Sequence, residues 1–204
     1  MSNKEHFYEP RLGHGLPHDP FNAIVGPRPI GWISTRSKSG ALNLAPYSFF
    51  NALCYTPPLI GFSSTAWKDT VRNIAETGEF VWNLVTRELA EAMNTSSAVV
   101  PHGVDEFALA HLETSDSRLV NVPRVAASPV AFECRLSQQL RLQGADGTPA
   151  EAWLTIGEVI GIHIDERLLV NGIYDTAAAN PVLRGGGAGD YFALGEKFRM
   201  KRPG

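Results

Sequence analysis

The sequence predicts a mainly β protein with helical insertions (α+β class), its strands antiparallel and closed into a barrel. Three observations carry that expectation. Short runs rich in β-branched and aromatic residues recur along the chain, separated by Gly, Pro and Ser clusters. The few helical stretches interrupt the strands without alternating regularly with them, which counts against a doubly wound parallel sheet. Closure then removes the edges that many short strands would expose.

Residues 1–20 hold Pro10, Pro17, Pro20, Gly13 and Gly15 and read as an irregular arm, draped over a neighbour; residues 21–204 read as one domain. PIGWIST (29–35) is a strand, RSKSG (36–40) a turn, and Ala41–Ala45 the second half of a hairpin. Pro46 cannot donate to a ladder, so the chain there is bent, bulged or at an edge. Tyr47–Leu53 continues extended, and LIGFSS (59–64) is a third strand. A short helix follows, with Asp69 or Thr70 as N-cap, Val71, Ile74 and Ala75 on its inner face, and Gly78 past its end. In Phe80–Val85 both faces are apolar enough to be covered. Arg87–Met93 and Asp105–Leu112 read as helices. Residues 130–142 and 153–165 form a long antiparallel hairpin about the GADG turn at 144–147. RLLVNGIYD (167–175) adds a strand, and 181–194 ends the fold in a glycine-rich loop and a short strand.

A chain of 204 residues can bury a proper core, and 44% apolar with 19% charged residues is ordinary for a soluble protein. The net charge of −3 creates no field that would draw nucleic acid. The basic end (Lys197, Arg199, Lys201, Arg202) reads as a solvated tail. No apolar run approaches the roughly 20 residues that span a bilayer, so no membrane partner is expected. The polar first residues do not look like a signal peptide. Two cysteines, Cys54 and Cys134, lie far apart without CxxC spacing. They fit a reducing, cytoplasmic setting and read as small core hydrophobes. His14 and His18 are separated by Gly15 and Pro17, which break the helix that would align them, so no metal site is expected. GGGAG at 185–189 has Asp190 where a dinucleotide fingerprint needs its third glycine, and reads as a loop.

The chemistry concentrates between Pro27 and Leu84. A helix start offers unpaired N–H groups and the positive end of the macrodipole. Ser63, Ser64, Thr65 and Thr70 add hydroxyls there and Lys68 adds a charge, a set able to hold a phosphate monoester. The same residues also suit a simply capped helix with Lys68 in water. In the hairpin, Ser34, Thr35, Asn43, Ala45, Ser48 and Asn51 offer small and polar groups to a planar ring. Read otherwise, they are ordinary strand surface over a Trp32, Phe49 and Phe50 core. His163, in IGIHID, is either a strand-surface histidine or part of a pocket.

Taken in order, RPIGWIST (28–35), NLAPYSFFNAL (43–53), PPLIGFSS (57–64), KDTVRNI (68–74) and EFVWNL (79–84) resemble the flavin reductase-like, FMN-binding split-barrel family. Looser likenesses lie in GEVIGIHID (157–165) and LRGGGAGDYFAL (183–194). The family includes flavoredoxins and the flavin reductase components of two-component monooxygenases. The resemblance implies an antiparallel split β-barrel, a homodimer, and FMN near the subunit interface. Carried over by position, Ser34 and Thr35 lie by the flavin, and Ala45, Pro46, Ser48 and Asn51 contact the ring and ribityl chain. Ser63, Ser64, Lys68 and Thr70 form the phosphate end. His163 and Tyr191 close the pocket, from this subunit or the other. The flavin carries the chemistry, so no side chain is expected to act as a nucleophile. The implied activity is hydride transfer from NADH or NADPH to flavin, supplying a partner monooxygenase or redox protein. The alternative is a non-catalytic electron carrier of flavoredoxin type. The segment 95–128 has no counterpart in these motifs and stays unplaced.

Overall fold

A computed structural model describes residues 4–204; the first three residues of the expected arm lie outside the described residues. Seven antiparallel strands make the main sheet: β1 (Gly31–Arg36), β2 (Leu42–Tyr47), β3 (Phe50–Tyr55), β4 (Pro58–Thr65), β5 (Glu79–Asn83), β6 (Val130–Gln143) and β7 (Pro149–Ile164). Their order is β2-β1-β5-β6-β7-β4-β3. The two end strands, β2 and β3, are consecutive in the chain and joined only by Ser48 and Phe49. Ends so tightly tethered force the sheet to curl on itself. No ladder joins β2 to β3, and that seam is the split in the barrel. Pro46 lies on β2, opposite Trp32, where the missing N–H faces no further strand.

The barrel interior is aromatic. Phe62 and Phe80 meet edge to face at 6.0 Å, and Phe50 stacks on Trp82 at 5.6 Å. Ile33, Ile60, Ile74 and Cys134 fill the space between them. A Cβ on Gly157 would stand 2.3 Å from the Phe80 ring, so the glycine in β7 is what lets Phe80 lie across the barrel. A second cluster, with Trp32, Leu44, Val85, Met93 and Phe107, lies outside β1 and β2. Helix α1 (Asp69–Thr77) buries Val71 and Ile74, while α2 (Ala90–Thr95) and α3 (Glu106–Leu109) cover the second cluster. Strand β5 is buried on both faces as its pattern predicts: Phe80 and Trp82 belong to the first cluster, and Val81 packs with Val120, Val122 and Ala131.

Several expectations need correction. The α1 N-cap is Lys68, not Asp69 or Thr70, and it makes no side-chain cap bond. Asp69 instead faces outward to bind a neighbouring loop. Cys134 is buried in the core as expected, and burial raises its thiol well above the usual value. Cys54, expected in the core, is exposed on β3, because a strand at the seam has one uncovered side. The 167–175 run does not join the main sheet: it folds as a 3-10 turn, Glu166–Leu168, and a two-residue hairpin, Leu169–Val170 with Ile173–Tyr174. Leu183–Gly186 pairs with Asp190–Phe192 and with Arg28–Pro29 in a separate small sheet. Beyond it, residues 195–204 are exposed and irregular, as expected of a solvated tail.

Candidate functional site

A cleft of 280 Å³ opens between β2, the start of α1 and the segment 96–102. Its β2 wall is Asn43, Ala45, Pro46 and Tyr47; its far end is Lys68, Asp69 and Thr70. A second depression of 290 Å³ shares Pro46, Tyr47 and Ser97 with it and extends to Ser48, Arg184 and Tyr191. The two are one continuous groove along β2, bordering the seam. It runs from the helix start that carries Lys68 and Asp69, past small and apolar side chains, to an aromatic and arginine-bearing rim.

A buried amide-hydroxyl network fastens α1 to the hairpin. Asn43 Nδ2 donates to Thr35 Oγ1 (3.2 Å) and to Thr70 Oγ1 (2.8 Å), and Asn73 Nδ2 donates to Thr35 Oγ1 (3.0 Å). Thr70 Oγ1 is therefore an acceptor within the protein, which leaves its hydroxyl proton to donate. Tyr47 is buried beside it. Burial pushes the phenol up to about 12, against the opposing pull of the Thr70 and Ser64 hydroxyls. Tyr47 thus stays a neutral donor at ordinary pH.

Two carboxylates face this end. Asp69 Oδ1 accepts from Arg72 Nη1 (3.0 Å) and pairs with His102 Nδ1 (2.7 Å), and its Oδ2 accepts from Gly103 N–H (3.2 Å). Its carboxylate is thus engaged by Arg72, by the Gly103 N–H and by His102, which itself lines the cleft. Glu106, on α3, is buried and accepts from Leu44 N–H at 3.0 Å. Desolvation, opposed by the Leu44 bond and aided by Asp69 and Asp105, raises its carboxyl above the usual value. An anion at Lys68 therefore meets one carboxylate already paired and one whose pKa burial raises.

The sequence-predicted residues separate into groups. Ala45, Pro46, Ser48, Lys68, Thr70 and Tyr191 line the groove. Ser34 and Thr35 do not: both are fully buried, with the Ser34 hydroxyl donating to Pro123 O (2.7 Å) and Thr35 in the network above. Ser64 is also buried and donates to Ala66 O (3.1 Å), next to Tyr47. Ser63 is half-buried on β4, and Asn51 is exposed on β3, across the seam, its Oδ1 accepting from Ala52 N–H. His163 lies apart, in a depression with Arg118, Arg124 and Arg167. Its Nε2 is 2.5 Å from the buried Glu133 carboxylate, which also accepts the N–H groups of Arg118, Leu119 and Val120. Within one subunit His163 is a structural donor.

Sequence reasoning missed Tyr47, Asp69, Ser97, His102, Glu106 and Arg184. Four of these come from, or pair with, the unplaced 95–128 segment, which the fold lays across the groove. Tyr47 and Asp69 sat inside quoted motifs, and their neighbours Ser48 and Lys68 drew the attention instead.

Fold and groove together define a split-barrel protein with an open groove that runs along β2 from the start of α1 to Arg184 and Tyr191. Residues 26–179 match the family model described as flavin reductase like domain, and the chain belongs to that family of oxidoreductases. It is 40% identical, over 90% of each chain, to an uncharacterized protein, BH2278, of Halalkalibacterium halodurans. Among solved structures it is similar to nitrilotriacetate monooxygenase component B from Bacillus cereus (32% identity, TM-score 0.88, covering 98% of this chain and 100% of that one). It is also similar to 2-nitrobenzoate 2-nitroreductase NbaA of Pseudomonas fluorescens (28% identity, TM-score 0.79, covering 90% and 88%).

Proposed function

We propose that this chain is an FMN-binding, NAD(P)H-dependent flavin reductase that supplies reduced flavin to a partner oxygenase. The observation that carries the reading is the groove itself: an anion-receptive helix start bearing Lys68 and Thr70 lies at one end of a wall of small and apolar side chains. The donor set fits a flavin mononucleotide. Lys68 supplies charge, the first N–H groups of α1 and the Thr70 hydroxyl supply directed bonds, Asp69 is already paired, and burial raises the Glu106 carboxyl above its usual value. Ala45 and Pro46 present a low wall that a flat ring can approach.

A flavin held there would supply the hydride-accepting and electron-donating chemistry between a dihydronicotinamide and the partner. The chain's own residues hold and orient it. Asn43 holds the Thr70 side chain in place at the start of α1. Ser48 and Tyr191 border the ring end, and segment 96–102 shields the groove from water. Ser34, Thr35 and Ser64 act from beneath as positioning residues, while Asn51 and Ser63 approach from the β3–β4 side of the seam. His163 reaches a flavin only across a subunit interface. A homodimer is supported by large apolar side chains left in water, among them Tyr55 at 96%, Ile173 at 72% and Ile24 at 70% exposure. The likeness to a monooxygenase component supports the oxygenase partner. Among the described residues no helix is long and apolar enough to cross a membrane.

The test is a visible spectrum of the protein with FMN, before and after NADH or NADPH under anaerobic conditions, with sedimentation alongside. The expected result is bound flavin that bleaches with one nicotinamide, on a dimer. A protein that neither retains FMN nor gains thermal stability from it rejects the reading. One that holds FMN but is reduced by neither nucleotide rejects the reductase half.

A further inference from the structure

We propose that the Arg184 end of the groove is a recognition site for an organic anion, the carboxylate or phosphate of the substrate that meets the flavin. This rests on the reading of the groove as a flavin site and names the second ligand's chemistry. Arg184 lines the 290 Å³ depression with Pro46, Ser48, Asn94, Ser97 and Tyr191. Its guanidinium stacks on the Tyr191 ring at 5.1 Å, which fixes its plane. Nη1 donates to Gly186 O and to Asp190 O (2.9 Å), and Nη2 donates to Gly187 O (3.1 Å). Among the described residues these three bonds leave two of the five guanidinium N–H groups, Nε–H among them, without a partner.

Behind it lies a second unmatched cation. Arg28 is 9% exposed, donates to Ser48 O (2.9 Å) and to the carbonyls of Asn22 and Val25, and among the described residues makes no bond through Nη2. Its charge lies near that of Arg184, and burial followed by that repulsion lowers its affinity for its proton. Carbonyl dipoles orient both guanidinium groups but carry no net charge. Among the described residues neither arginine forms an ion pair, and the acids on adjoining segments, Glu91 and Asp190, pair with neither. Buried cations are ordinarily matched by an acid. Arg184, which lines the groove and is backed by the buried charge of Arg28 with no acid between them, presents its remaining N–H groups as a fixed fork to an anion.

Two ligand sources carry that chemistry, a nucleotide phosphate and a small carboxylate. Isothermal titration of NADP⁺ and of benzoate, with nicotinamide and benzamide as uncharged counterparts, separates them. It is run at low salt on wild type, R184Q and R184K, each with and without FMN. The expected result is at least tenfold weaker binding of one or both anions to R184Q, partial recovery in R184K, and no change for the neutral probes. Loss of NADP⁺ alone assigns the site to a nucleotide, and loss of benzoate alone to a carboxylate. Anion affinity equal in wild type and R184Q, no anion binding to wild type, or equal weakening of charged and neutral probes, overturns the inference. Failure of wild type to bind FMN rejects the flavin reading instead, and the FMN-free titrations still report on Arg184.

Discussion

Glu133 offers a direct test of how the 95–128 segment is held to the barrel. Its carboxylate is fully buried on β6. Oε1 accepts from Arg118 N–H (2.8 Å) and faces His163 Nε2 (2.5 Å), while Oε2 accepts from Leu119 N–H (2.6 Å) and Val120 N–H (3.1 Å). Hydrogen bonds to a charged group are worth about 1.5–3 kcal/mol each, and they do not add fully where donors share an acceptor. Removing the acceptor from a site like this costs roughly 3–5 kcal/mol. For a chain of this size, that is a fall in Tm on the order of 6–20 °C. Glu133→Ala should reach this range. Glu133→Gln, which turns an NH₂ toward two donors, should lose about half as much. The pH dependence adds a second readout. Burial pushes the Glu133 carboxyl up, but the Arg118 bond, His163 and the Leu119 and Val120 bonds outweigh it, so the native carboxyl titrates below the usual value. Its stabilisation is therefore full above the unfolded carboxyl pKa, near about 4.3, and is lost as pH falls through the lower native value. Urea denaturation of wild type and Glu133→Gln from pH 7 to pH 3 measures both effects. A Glu133→Gln protein within about 0.5 kcal/mol of wild type at pH 7, or a stability difference that grows on acidification, would refute this account of the segment's anchoring.

Three further outcomes are expected. Lys68→Gln should weaken FMN binding by about tenfold at low salt and by less at high salt, since exposed charges are screened; fluorescence titration at two ionic strengths checks it, and a salt-independent loss would contradict the role. Because Glu106 holds its proton more tightly than a free carboxyl, FMN affinity should fall as pH rises past that native pKa and a carboxylate appears in the cleft; Glu106→Gln should flatten the profile, and an unchanged slope would contradict it. Gly157→Ala places a methyl 2.3 Å from the Phe80 ring, and should cost about 1–3 kcal/mol in denaturant melts, whereas a neutral result would mean the ring yields freely.

Much of the fold was legible in the chain. The hairpin of β1 and β2, the β4–α1–β5 passage with Gly78 closing the helix, and the long β6–β7 hairpin all follow from alternation, helical spacing and turn residues, which act over a few residues. The groove-lining members Ala45, Pro46, Ser48, Lys68 and Thr70 were also within reach, since the ordered motifs carried them, and Tyr191 came from the looser likeness at 183–194. Ser34 and Thr35 were not separable from these by sequence. A hydroxyl on a strand looks the same whether it faces a groove or donates to Pro123 O in the core. Cys54 failed for a related reason: an apolar alternation does not show which strand ends at the seam.

The sequence by itself determined the β-rich class, the succession of hairpins and the helix start that bears Lys68, because local sterics, periodicity and capping decide these over short spans of chain. Only the tertiary structure decided which side chains share the groove. The two-residue link at Ser48 and Phe49 brings the sheet's ends together, the 95–128 segment lays His102 and Glu106 beside α1, and the small terminal sheet carries Arg184 to Tyr47. Those meetings join residues up to a hundred and more positions apart, and barrel closure, which no local pattern encodes, is the physical event that makes them neighbours.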